Sequence, residues 1–186
     1  MIWASATPCA GRIVGETPRG NPVARRDPAA VLLRAYSSSA RINEFLVEHL
    51  DPAVWRARPP GGERVRTIAA LVAHVHNCGL RYLERTDPRA RVPAELDRAR
   101  VTPAQAARAL GAKRQAVLRV VGAAIAEGRR IVGFPHDAPS YLLYYMAHDN
   151  HHRGQIVMLA RQLGHPVSRQ TMSGMWQWHA RGEESS

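Results

Sequence analysis

Apolar residues in this chain recur at intervals of three and four over long stretches, and nowhere do they alternate with polar ones as a half-buried strand requires. Leu32, Tyr36, Ile42, Phe45, Leu46 and Leu50 give a first helix its apolar face. Asp27-Pro28 opens it, with Asp as N-cap and Pro at the first helical position, and Asp51-Pro52 lies beyond its end. Ile68, Leu71, Val75, Cys78 and Tyr82 predict a second helix over about 65–85. Thr102-Pro103-Ala104-Gln105 carries a capping-box pattern ahead of Leu110, Val117, Val121 and Ile125, a third helix that Gly128 stops. Asp137-Ala138-Pro139 starts a fourth, which runs to Gly164 and the following His165-Pro166. A short last helix is expected over 171–180, with Trp176 and Trp178. Loops fill the rest: 55–63 with Pro59-Pro60-Gly61-Gly62, and a polar, proline-broken crossover over 87–100. The pattern predicts an all-α protein, a four-helix bundle in one domain over 27–182. Residues 1–26 lack any period and contain Pro8, Pro18 and Pro22, so a flexible N-terminal tail is expected there.

Composition changes this picture little. Apolar residues make up 45% of the 186 and charged residues 22%, ordinary for one globular domain. No run reaches the roughly 18 apolar residues of a membrane span, and the N-terminus has no apolar core of a secretory signal. The net charge of +11 raises nucleic acid as a partner. Its distribution argues against one. All basic residues but Lys113 are arginine, and they are scattered in pairs such as Arg64 and Arg66 or Arg129 and Arg130, without a basic stripe on any helix. Cys9 and Cys78 form neither a CxxC site nor a disulfide framework, so reduced thiols in a cytoplasmic protein are expected.

The chemistry concentrates in the fourth helix, which reads His148-Asp149-Asn150-His151-His152-Arg153-Gly154-Gln155. Its apolar face, Leu142, Tyr145, Ile156, Leu159 and Leu163, extends through His148, Asp149 and His152. Two imidazoles at i and i+4 stand one turn apart and can reach one metal ion. They can equally end in a polar network with Asp149 and Gln155, since polar groups on a core face need partners of some kind. Asp149 either pairs with Arg153 one turn on or orients an imidazole. His151 falls off the face. On the second helix His74 borders the apolar stripe, which makes it the third ligand candidate, whereas His76 points nearly opposite and is expected at the surface or an interface. Cys78, four residues after His74, is a fourth ligand, a reactive thiol or a small apolar filler.

His148 to Gln155 resembles the H-x-x-H-H-R-G-Q signature in the last helix of the DinB/YfiT-like superfamily. Leu71-Val72-Ala73-His74-Val75 resembles that family's first-ligand helix, and Pro60-Gly61-Gly62 the loop before it. The resemblance covers roughly 28–182. It implies a four-helix bundle, often a homodimer, in which one histidine of the second helix and two of the later motif bind a divalent metal; these match His74, His148 and His152. Zinc, nickel and iron all suit three histidines. Some members of the family act on low-molecular-weight thiols such as bacillithiol or mycothiol, so the resemblance implies a metal-dependent thiol S-transferase or hydrolase with a small-molecule substrate. The alternative is a non-catalytic, stress-associated helical module with a structural metal.

Overall fold

A computed structural model of the chain describes residues 27–59, 61, 64–134 and 137–184. The expected tail over 1–26, Cys9 within it, and Pro60 and Gly62 of the loop motif lie outside those residues. Four long helices, α1 (Pro28–Glu48), α2 (Ile68–Thr86), α3 (Pro103–Ala126) and α4 (Ala138–Gln162), are followed by two short ones, α5 (Arg169–Trp176) and α6 (Trp178–Glu183). Among the described residues there is no strand; Arg130 and Asp137 form one isolated antiparallel bridge. No helix among the described residues is long and apolar enough to cross a membrane.

Each long helix begins where a side chain satisfies the free N–H groups of its first turn. Asp27 accepts from the Ala29 amide, Thr67 from Ala70 and Asp137 from Ser140, and Thr102 with Gln105 forms the full reciprocal capping box. α1 and α2 each pack against both α3 and α4, so they stand across the bundle from one another, and α5 and α6 close against α1. The loop after α1 is anchored too: Trp55 is buried and its indole N–H donates to the Val101 carbonyl over 2.8 Å.

The core is two apolar clusters with a polar layer between them. Ile42, Leu46, Val72, Leu110 and Ile156 belong to one cluster, and Tyr36, Leu83, Val117, Leu142 and Tyr145 to the other. Three long helices change cluster at buried polar residues, His76 and Asn77 on α2, Lys113 and Arg114 on α3 and Asp149 on α4; on α1 the change falls between Ala40 and Ile42, just ahead of buried Asn43 and Glu44. The groups on α1, α3 and α4 pair across the bundle. Lys113 Nζ lies 2.7 Å from Asp149 Oδ2, Arg114 Nε lies 2.8 Å from Glu44 Oε1, and Arg153 Nη1 donates to Asn43 Oδ1 and to the Ser39 carbonyl.

Two expectations need correcting. His76 is not at the surface: it is fully buried, 0% exposed, at the centre of the buried face of α2. The apolar stripe drawn through Cys78 and Tyr82 is rotated from that centre, and both side chains are only half-buried. The cause is the crossover over 87–100, which has no helical period of its own and covers α2 from outside. His76 Nε2 meets the Ala94 carbonyl at 2.9 Å, while the Asn77 side chain donates to the Leu96 carbonyl and accepts from the Leu96 amide. The last helix is two, α5 and α6, parted at Gln177.

Two helical glycines make opposite predictions. A Cβ on Gly79 would sit 2.2 Å from Tyr145 Oη and 2.7 Å from Lys113 Cδ, whereas one on Gly154 would meet nothing within 4 Å. Gly79→Ala should therefore lower stability, because overpacking costs about 1–3 kcal/mol and outweighs the helix-propensity gain of about 1 kcal/mol. Gly154→Ala should raise it by roughly 0.5–1 kcal/mol. Chemical denaturation of the two variants checks both signs.

Candidate metal centre

The site is built on the seam where α2 meets α4. Placing Asp149 at the bundle centre turns His148 and His152, which lie on one side of it around the helix, towards the edge of α2. From α2 come His74 and, one turn on, Cys78. One ligand atom each of His74, Cys78 and His148 lies within 4.8 Å of the others. The His152 ring packs on both imidazoles, its centroid 4.7 Å from that of His74 and 4.6 Å from that of His148; His74 and His148 are 5.6 Å apart. The rings of His74, His148 and His152 thus cluster, but among the described residues the ligand atoms that come within 4.8 Å of one another are those of His74, Cys78 and His148, without His152. His151 is exposed and His76 lies in the core.

Neighbouring groups orient these rings. Gln155 Oε1 lies 2.7 Å from His152 Nδ1; an amide oxygen only accepts, so Nδ1 carries the hydrogen and Nε2 keeps its lone pair. Gln155 Nε2 in turn donates to His151 Nε2. His148 Nδ1 is 3.4 Å from Asp149 Oδ1, a long contact, while Asp149 gives its other oxygen to Lys113. Asp149 and Arg153 do not form the helix-surface pair considered from spacing, since each is engaged elsewhere. Tyr82 edges against His148 at 6.1 Å and against Tyr144 at 6.0 Å, walling one side of the site.

Electrostatics disfavour protonation of His74 and His152. Burial, with His152, Arg66, His148 and Arg98 adding to it, pulls the His74 imidazole down to about 4. Burial also lowers His152, against the pull of Gln155, with His148 and His151 assisting. Burial pushes the Asp149 carboxyl up, but the Lys113 ammonium and the contact with His148 win and hold it below the usual range. The donors are three imidazoles and one thiol, and no free carboxylate lies among them. That set fits a borderline transition ion such as zinc, nickel or iron and does not suit calcium or magnesium. His74, Cys78 and His148 present ligand atoms close enough for one ion, and the His152 ring packs against them.

Lys113 was invisible to reasoning from apolar periodicity, although a signal existed: it is the only lysine, and it sits in the stripe Leu110, Val117, Val121 at helical spacing. Arg66 and Arg98, whose charges act on His74, were missed because both lie in segments without period.

Removing one member of the buried pair strands the other. Lys113→Met should cost about 3–5 kcal/mol, and adding Asp149→Leu should restore most of it, the signature of a desolvated ion pair. A denaturant double-mutant cycle reads the coupling. Acid sensitivity follows from the histidines. Below about pH 6.5 the unfolded chain protonates them while folded His74 stays neutral to about 4, so the unfolded state binds more protons and stability falls with pH across that window. Asp149, with its folded value depressed, adds stability that is present above the unfolded carboxyl value and lost as pH falls through the folded one. The melting temperature of metal-stripped protein should drop from pH 7 to 4.5, and less steeply in His74→Ala.

No curated protein and no solved structure matches the chain. The model of the DinB family matches residues 26–183, which takes in all six helices, the converging histidines and the buried Lys113–Asp149 pair. The chain belongs to the DinB family.

Proposed function

We propose that the protein is a divalent-metal-dependent enzyme whose ion is held by His74, His148 and His152 and whose substrate is a small thiol. The observation that carries this reading is the convergence of imidazoles from two helices at a seam that opens outward, His148 keeping 16% of its side chain exposed. A divalent ion on neutral ligands keeps its charge, which favours thiolate over thiol and hydroxide over water. This chain's own residues supply the rest. Gln155 fixes the tautomer of His152, the Lys113–Asp149 pair anchors the turn that carries His148, and Tyr82 and Tyr144 shield one side. The reading includes a homodimer in the cytoplasm, without a nucleic-acid partner.

Cys78 favours a second reading. Its sulfur lies in the same 4.8 Å group as His74 and His148, and a cysteine in the fourth position closes a site and makes its metal structural.

Cobalt(II) separates the two. Wild type should bind about one ion per chain, His148→Ala or His152→Ala should lose it, His74→Ala should weaken it, and His76→Ala should not. In Cys78→Ser, added bacillithiol, mycothiol or cysteine should produce a sulfur-to-cobalt charge-transfer band. A band in wild type without added thiol, lost together with cobalt affinity in Cys78→Ser, supports the structural metal instead. Retention of stoichiometric cobalt by the His148→Ala, His152→Ala double variant would sink both.

A further inference from the structure

Beside the histidines, between the start of α2 and the second half of α4, runs a cleft of about 430 Å3. Its volume is that of a site for a small molecule. Leu71, Met158 and Leu159 make an apolar wall; Arg66, Gln155 and His152 supply the polar groups. His152 therefore faces the imidazole cluster and also lines the cleft. Met158 is 54% exposed although it stands on this apolar wall, so part of that surface is left for a ligand to cover.

Arg66 is the one Lys, Arg, Asp or Glu side chain among the described residues that line the cleft. Arg66 and Arg98 are exposed, both act electrostatically on His74, and neither has a carboxylate partner within 4.0 Å among the described residues. In a chain with 26 basic and 15 acidic residues an unpaired arginine is common. Arg66 differs from the others in its place, on the wall of a cleft shared with a candidate metal ligand. Asp149, the buried carboxylate next to His148, is already neutralised by Lys113.

We propose that this cleft binds a small organic anion, a carboxylate on an apolar body, with the carboxylate on Arg66 and the body along Leu71, Met158 and Leu159. The proposal rests on the metal-centre reading for where chemistry would occur, since the cleft places the ligand beside His152. Recognition itself does not need the metal. A guanidinium meets the two oxygens of a carboxylate with two parallel N–H donors. Arg66 is the one cationic side chain among the described residues that line the cleft, which matches a monoanion rather than a phosphate dianion. The apolar wall selects against small hydrophilic acids.

The test uses hexanoate as probe, with 1-hexanol and hexylammonium as controls of the same body, titrated by ligand-observed NMR into zinc-loaded and chelator-stripped protein. Hexanoate should bind both forms at least about tenfold more tightly than either control, and Arg66→Gln should remove that preference. Arg119→Gln, which deletes the same charge from the exposed face of α3, should leave it intact. Equal binding of hexanoate and hexanol, or a preference unchanged by Arg66→Gln, overturns the proposal. A preference confined to the zinc form and indifferent to Arg66 also overturns it, because the carboxylate is then merely a metal ligand and the metal reading stands. An Arg66-dependent preference in a protein that takes up no zinc supports the anion site and removes the metal reading alone.

Discussion

The ammonium of Lys113 and the carboxylate of Asp149 face each other at the middle of the bundle, 1% and 3% exposed, and the rest of the structure is arranged around that pair. Either ion alone in that place would cost several kcal/mol, so both must arrive together. They do so at the level where all four long helices pass from one apolar cluster to the other. A slip of α3 against α4 by one turn would part each charge from its counter-ion. Two clusters of aliphatic residues tolerate several registers; a buried ion pair tolerates one. Glu44 with Arg114, and Asn43 with Arg153, repeat the constraint between α1 and its two neighbours. Gly79 then follows as a necessity, because the space a Cβ would need on α2 is filled by the Lys113 stem and the Tyr145 ring.

The same pair sets the site. Asp149 held inward fixes the rotation of α4 about its axis, and His148 and His152, on one side of it around the helix, then point at the α2 seam. Asn150 meets Ser39 and Arg153 meets Asn43, so the opposite side of the same turns is tied to α1. The run from His148 to Gln155 is therefore not a string of ligands with spacers between them. Its histidines converge on α2, its Asp, Asn and Arg hold the helix still, and its Gln sets a tautomer. A site carried on helices locked in this way is held more tightly than one on loops.

How much of this was legible depended on the range of the physics. Helix starts at Asp27, Thr102 and Asp137 were readable because a cap and its amides lie within three residues of each other. The inward face of α4 was readable because His148, Asp149 and His152 continue a period that Leu142, Tyr145 and Ile156 establish. The phase of α2 was not. Apolar spacing put His74 beside the core and His76 outside, yet His76 lies at the centre of the buried face and His74 at its rim. The rim position of His74 is what lets it meet α4 at the seam. The crossover that buries His76 makes its contacts through backbone carbonyls and an amide, which leave no trace in a hydropathy pattern. The helical wheel misplaced His76, whose burial comes from that crossover.

The single lysine shows how far the buried layer constrains chemistry. Arginine fills every other basic position, so the chain has not otherwise needed to distinguish the two cations. At residue 113 the surroundings offer the carboxylate of Asp149 at 2.7 Å, the Val75 carbonyl at 3.4 Å, and the face of Tyr145 with its centroid 5.4 Å away. Two acceptors and one π face match the three N–H bonds of an ammonium. A guanidinium brings five N–H bonds in a rigid plane, and each one left over in a dry core costs about 1–3 kcal/mol. It would also have to pass Gly79 and Tyr145 with a bulkier head. Arg114, one residue on, faces Glu44 and Ser37 and has acceptors enough for its fork. Adjacent residues of one helix thus require different cations, for reasons set by what the other three helices present to them.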